Sequence, residues 1–225
     1  MFAFLWNVQR HIKDLISYSL CYDIVNSDVF EIAVKGMTLR YRVCSGVYPP
    51  SEDTYLLLES LAPGKKVLEI GCGSGLLSVF CASLGSDVTA VDINPLALNC
   101  TEMNSRLNHV SVETFLSDLF EKITDSYDSI IFNPPYLPTE DEIEGSEQWN
   151  GGKDGFKVTK MFMNSLESHL NEGGTAWLVL SSLTDIQSLI DSYKKFIFQK
   201  VRSVSFFMET LHSYCISLNK NYLIG

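Results

Sequence analysis

Basic residues are scarce in this chain. Its 225 residues include 17 Lys and Arg against 27 Asp and Glu, with four His, for a formal net charge of −10. Proteins that grip nucleic acid through its phosphates need a basic face, so this balance argues against that class. It suits a basic partner surface, or only solubility. Paired metal-binding cysteines are lacking too. Cys21, Cys44, Cys72, Cys81, Cys100 and Cys215 form no CxxC and no Cys/His cluster with zinc-ligand spacing, so no metal site is expected. They read as reduced, mostly buried cytosolic thiols. Nowhere do 18 apolar residues run uninterrupted, and the opening MFAFLW has no basic residues before it. That stretch is too short for a signal peptide or a bilayer span, so a cytoplasmic protein away from membranes is expected. Internal repeats are also lacking. With 46% hydrophobic and 20% charged residues, the composition is that of an ordinary globular protein of one large domain, or one domain and a small addition.

The first 46 residues differ from the rest. Phe4, Val8, Ile12 and Leu15 recur at helical spacing, and EIAV and TLRYRV flank Lys35-Gly36-Met37 as a β-hairpin would. An N-terminal extension over 1–46, a helix and a hairpin, is therefore expected before a main domain over 47–225. From Val47 onward helices alternate with short apolar runs. Ser51-Glu52-Asp53 opens a helix. KVLEI, SDVTAV, VSVETF, YDSIIF and TAWLVLS read as strands with helices between most of them. Such βαβ repetition specifies an α/β fold with a mostly parallel sheet covered on both faces. FQKVRSVSFF and HSYCISLNK follow without a helix between them and predict an antiparallel C-terminal hairpin. Phe206, Phe207 and Tyr214 read as core residues. The histidines are scattered and read as surface or strand residues.

Three constellations carry chemistry. Glu69-Ile70-Gly71-Cys72-Gly73-Ser74-Gly75 lies directly after a strand and before a helix, where glycines let backbone N–H groups approach a ligand. Asp92 ends the next strand, placed to accept from a ribose diol. A dinucleotide fingerprint would want Gly at position 76, which is Leu76. GxGxG favours S-adenosylmethionine, which has no pyrophosphate, over NAD. Asp118, followed by Leu119, comes just after the third strand of this series and is placed to accept from an adenine amino group. Finally, Asn133-Pro134-Pro135-Tyr136 ends YDSIIF. Its prolines stiffen a loop at the carboxyl edge of the sheet, where ligands of α/β sheets sit. The Asn133 carbonyl beside a Pro134 carbonyl offers two acceptors for one planar –NH2 group, and Tyr136 offers a face for stacking.

VYPPSEDTYLLLESL, VLEIGCGSG, AVDINP, Asp118, FNPPYLP and WNGGKDG together resemble the HemK family of protein-glutamine methyltransferases, in particular its short archaeal–eukaryotic branch. The resemblance covers about Val47 to Leu218. NPPY alone would be shared with amino-methyltransferases acting on adenine or cytosine in nucleic acid. The resemblance implies a class I methyltransferase fold and N5-methylation of the glutamine in the Gly-Gly-Gln loop of a class 1 peptide-chain release factor, with S-adenosylhomocysteine as the cofactor product. It implies that Thr54, Glu69, Gly71, Gly73, Asp92, Asp118, Leu119 and Asn133 contact the cofactor. Asn133 and Pro134 would hold the substrate amide, with Tyr136 beside them. A small zinc-binding activator subunit on an edge strand, Val110 to Phe115, is implied as well. The chain departs from the short branch over its first 45 or so residues, and it lacks the helical recognition domain of the bacterial branch. The alternatives are a DNA or RNA amino-methyltransferase of the adenine N6 type, methylation of another protein, and a catalytically silent binding module. The TEDEIE stretch reads as a solvated acidic loop, or more sharply as a docking surface for a basic release-factor loop.

Overall fold

The structure, a computed structural model, describes residues 28–136 and 154–221. The helix expected over 4–20, the TEDEIE stretch and WNGGKDG up to Lys153 lie outside the described residues. A compact unit spans Glu31–Gly225. It includes most of the hairpin β1 (Phe30–Val34) and β2 (Met37–Tyr41), which the sequence pattern assigns to the extension.

Helix α1 (Glu52–Ser60) follows, and then the alternation begins: β3 (Lys66–Ile70), α2 (Leu76–Ser83), β4 (Asp87–Asp92), α3 (Pro95–Leu107), β5 (Glu113–Leu116) and β6 (Tyr127–Phe132). It continues with α4 (Lys157–Leu166), β7 (Leu170–Ser181), α5 (Ile186–Ser192), β8 (Phe196–Ser205) and β9 (Thr210–Leu218). The seven-stranded sheet has the order β5-β4-β3-β6-β7-β9-β8. Its first five strands in that order pair in parallel, and β9 pairs antiparallel with both β7 and β8. The expected mostly parallel α/β sheet with an antiparallel C-terminal hairpin is therefore what the chain forms. Central strands are near-continuous apolar runs because helices cover both faces. Leu68, Ile130, Phe132, Leu178 and Leu180 are buried together with Phe162 and Met163 of α4. Chain order reverses between β3 and β6, so the crevice outside their carboxyl ends is where an open α/β sheet receives a ligand. The glycine loop follows β3, and Asn133 follows β6.

Two expectations need correction. Cys44 and Cys100 are joined by a disulfide, with Cα atoms 6.0 Å apart, and are not free thiols; Cys72, Cys81 and Cys215 are free. At 56 residues apart the pair has no sequence signature, and only packing of the hairpin on α3 brings it together. Two asparagines of this helix region reinforce that packing. The backbone N–H groups of Arg40 and Arg42 donate to Asn108 Oδ1 and Asn104 Oδ1, each at 2.8 Å, and the amide nitrogens donate back to the same residues' carbonyls. In the other correction, Tyr214 is buried but Phe206 and Phe207 are exposed at the β8–β9 tip. Period-2 patterning cannot tell a strand's last residues from the turn that follows. No helix among the described residues is long and apolar enough to cross a membrane.

Glu69 fastens β3 to the helix that follows the glycine loop. It is buried and accepts from the backbone N–H of Ser78 at 2.8 Å and from the Ser78 hydroxyl. Burial outweighs these bonds and pushes its carboxyl up to about 8. The folded protein thus keeps a proton that the unfolded chain releases near 4.5. The stability this contributes is complete below that pH and is lost as pH rises through about 8. Relative to Glu69→Gln, the wild-type chain should lose urea resistance steadily between about pH 5 and pH 8. Parallel urea midpoints for the two proteins across that range would refute the buried neutral carboxyl.

Candidate active site

The glycine loop is built by close packing. Gly71 N–H and Cys72 N–H both donate to the Val91 carbonyl, so the loop folds back over the end of β4. Gly75 has φ +73°, and a Cβ there would lie 2.5 Å from Thr101 Oγ1 of α3. Both facts require glycine. At Gly73, φ +52°, the nearest atom to an added Cβ is the Tyr48 carbonyl oxygen at 3.7 Å. The loop therefore lies against the Tyr48–Thr54 segment. Asp92 is gripped at the loop's rim. Gly73 N–H donates to its Oδ2 at 3.0 Å and Asn94 N–H to its Oδ1 at 2.9 Å. Burial raises its pKa, opposed by these N–H groups. Each oxygen keeps a lone pair for a further donor.

This arrangement fits the ribose diol, adenine and methionine ends of S-adenosylmethionine. Asp92 would take the diol, Gly71 and Gly73 would bring backbone close to the ligand, and Asp118 stands exposed at the same edge. Leu119 beside it has φ +46°, a left-handed conformation costing on the order of 1–3 kcal/mol for a non-glycine residue. Such strain concentrates at ligand sites. Glu69 and Thr54, also expected at the cofactor, make internal bonds as well. The Glu69 contacts are the Ser78 bonds described above. Thr54 Oγ1 accepts from Ser51 N–H at 3.3 Å and donates to Asp53 Oδ1 at 3.2 Å, capping α1. Both side chains thus have structural duties beside any cofactor contact.

Across the crevice, Asn133 Oδ1 is buried and has no hydrogen-bond partner among the described residues. Leaving a buried carbonyl unpaired costs on the order of 1–3 kcal/mol, so the atom awaits a donor. Pro134 is buried and Tyr136 half-buried. The resemblance implies that the segment Tyr48 to Thr54 helps to close the cofactor site, but sequence reasoning gave Asp53 within it no role of its own beyond the acidic first turn of a helix. Its carboxylate is 3% exposed. Oδ2 accepts from the hydroxyls of both Tyr48 and Tyr136, each at 3.2 Å. Burial, with the Asp53 charge behind it, raises the pKa of both tyrosines, so both keep their protons and donate. Asp53 thus clasps the segment over the glycine loop to the Asn133 loop. The one available signal was its neighbourhood, an acid between two tyrosine-bearing motifs.

Removing the clasp should disturb both halves of the site. Asp53→Ala is expected to weaken S-adenosylhomocysteine binding and to lower methyl transfer, each by about tenfold, as for loss of one charged hydrogen bond. Tyr136→Phe should lower transfer and leave that binding within about twofold. Calorimetry beside steady-state kinetics separates the two, and an Asp53→Ala protein with wild-type values in both would remove the clasp's role.

Comparison with known proteins places the chain in a family. The family model described as Methyltransferase small domain matches residues 51–206. A Methanocaldococcus jannaschii protein that carries the name protein N5-glutamine methyltransferase is 41% identical over 170 residues, covering 72% of this chain and 85% of that one. The eRF1 methyltransferase catalytic subunit mtq2 of Schizosaccharomyces pombe is 32% identical over 190 residues, covering 70% and 82%. Among solved structures, the E. cuniculi Mtq2–Trm112 complex superposes with TM-score 0.62 at 22% identity, covering 77% of this chain and 99% of that one; this likeness concerns the fold. The chain is thus an S-adenosylmethionine-dependent methyltransferase and belongs to the HemK-type protein N5-glutamine methyltransferases of the methyltransferase small domain family.

Proposed function

We propose that this enzyme methylates the N5 atom of the glutamine in the Gly-Gly-Gln loop of a class 1 peptide-chain release factor. The observation that carries the reading is the buried, unpartnered Asn133 Oδ1 at the carboxyl end of β6. Names carried by relatives support the substrate class: eRF1 methyltransferase for the S. pombe protein, and release factor glutamine methyltransferase for a Geobacter sulfurreducens protein 32% identical over 158 residues. Release factors act in translation, so the proposed reaction is a cytoplasmic one.

An amide nitrogen is a poor nucleophile because its lone pair is delocalised into the carbonyl. Asn133 Oδ1 and the Pro134 carbonyl accept from its two N–H bonds, fix its plane and stabilise the positive charge that develops on it. The prolines hold that pair of acceptors still. Tyr136, locked by Asp53, walls the pocket and keeps water out. When bound, S-adenosylmethionine supplies an electrophilic methyl group on a sulfonium centre. The nitrogen becomes acidic as the new bond forms, so its proton leaves after transfer without a strong base.

A small zinc-binding activator on β5 is part of the same proposal. The E. cuniculi relative is a complex of two subunits, and β5 is the sheet's edge. Unpaired edge strands invite a partner strand.

Mass spectrometry of a release factor after incubation with enzyme and cofactor should show one methyl group on the Gly-Gly-Gln glutamine. Asn133→Ala should lower kcat by about a hundredfold, as for loss of one transition-state contact, with S-adenosylhomocysteine affinity nearly unchanged. Asp92→Ala should weaken that affinity by about tenfold or more. Methyl transfer to an oligonucleotide and none to the release factor would overturn the assignment.

A further inference from the structure

The tip of the β8–β9 hairpin breaks the usual chemistry of turns. Phe206, Phe207 and Met208 stand there in sequence, 40%, 91% and 59% exposed, and Leu183 in the β7–α5 turn is 48% exposed. Hairpin turns ordinarily carry Gly, Asn, Asp or Ser. Three consecutive exposed apolar residues are a liability unless they meet something.

The tip is held firmly. Phe206 N–H donates to the Glu209 carbonyl at 2.7 Å, closing the turn. Ser182 and Thr210 are joined twice, by Ser182 N–H to the Thr210 carbonyl at 2.9 Å and by Thr210 N–H to Ser182 Oγ at 2.8 Å. Glu209, 8% exposed, accepts from Ser181 Oγ at 2.7 Å, and Ser181 Oγ accepts from Leu183 N–H at 3.1 Å. A buried carboxylate thus anchors a turn whose apolar residues face solvent.

The tip is also beside the reaction site. Ser181 ends β7, which runs parallel to β6, and pairs with Leu211 of β9. The turn before β9 therefore stands on the same carboxyl edge as Asn133, about two strand spacings, or roughly 10 Å, across the sheet from β6, and projects beyond the end of β6 along the strands. A folded protein inserting a glutamine at Asn133 must cover this edge, since a specific interface takes about 800 Å² on each partner. The tip offers what such interfaces use as anchors, an aromatic ring and a methionine.

We propose that Phe206, Phe207, Met208 and Leu183 form a docking contact for an apolar patch on the intact protein substrate, flanking its glutamine loop. This rests on the protein-glutamine reading above and adds that recognition extends beyond the loop. A Phe207→Ser/Met208→Ser double variant, measured against a whole release factor and against a short peptide bearing Gly-Gly-Gln, tests it. KM for the whole protein should rise about tenfold, the loss of one interface anchor. Its kcat, the peptide kinetics and S-adenosylhomocysteine affinity should stay within about twofold of wild type. Unchanged KM for the whole protein, or equal losses on both substrates, would overturn the docking contact and leave the glutamine reading standing. Loss of a wild-type dimer on light scattering, with unchanged KM, would reassign the tip to self-association. A wild-type enzyme that methylates neither substrate would overturn the glutamine reading itself, and the docking contact with it.

Discussion

Much of this site hangs on how closely α3 approaches the glycine loop. Thr101 occupies the space that a side chain at position 75 would need, and its hydroxyl reaches Cys72 Sγ at 3.2 Å. One turn further on, Asn104 donates to the Ser74 carbonyl at 2.8 Å. At the helix's start, Asn94 caps it through Leu96 N–H, presents its own N–H to Asp92, and donates from its side chain to the Gly46 carbonyl. A single helix thus sets the curvature of the loop, the orientation of the Asp92 carboxylate and the seat of the segment that leads to Tyr48. Interiors packed this tightly transmit a shift of one element to the rest.

The other half of the site obeys a different rule. β6 ends in prolines, so its backbone leaves the sheet with few donors of its own, and the Asn133 carbonyl is left without a partner. A fold selected for stability alone would fill that vacancy. An acceptor already satisfied by the protein would have nothing to offer an incoming amide, so the open Oδ1 suits the role proposed for it. Asp53 compensates at the rim by taking hydroxyls from both sides, which brings two independently built half-sites into one register.

The fold was legible because alternation of buried strands and capped helices is written locally. The glycine loop, Asp92 and Asn133 were legible because each motif sits at a strand end, where the topology delivers it to one edge. What was not legible depends on distant pairs. Cys44 meets Cys100 only after the hairpin docks. Asp53 resembles any first-turn acid until Tyr136, 83 positions away, is brought to it. Glu69 is read from the sequence as a ligand contact, and the fold adds a duty no local pattern shows, its bonds to Ser78 of α2. Phe206 and Phe207 continued an apolar strand pattern past the point where the strand turns, and only the Phe206-to-Glu209 bond marks that turn.

Cys100, Asn104 and Asn108 recur at four-residue spacing along α3 and its cap, opposite Cys44, Arg42 and Arg40 of the hairpin in reverse order. Each asparagine amide offers β2 one acceptor and one donor, as a neighbouring strand would. The hairpin is therefore seated by a two-rung ladder of side chains as well as by sulfur. These fastenings differ in what they govern. The amide rungs act in the folded state, fixing how β2 meets α3. The bridge acts chiefly on the unfolded chain, where closing a loop of this length contributes about 4 kcal/mol on the chain-entropy model. A change of redox environment would consequently alter how long the enzyme survives heat.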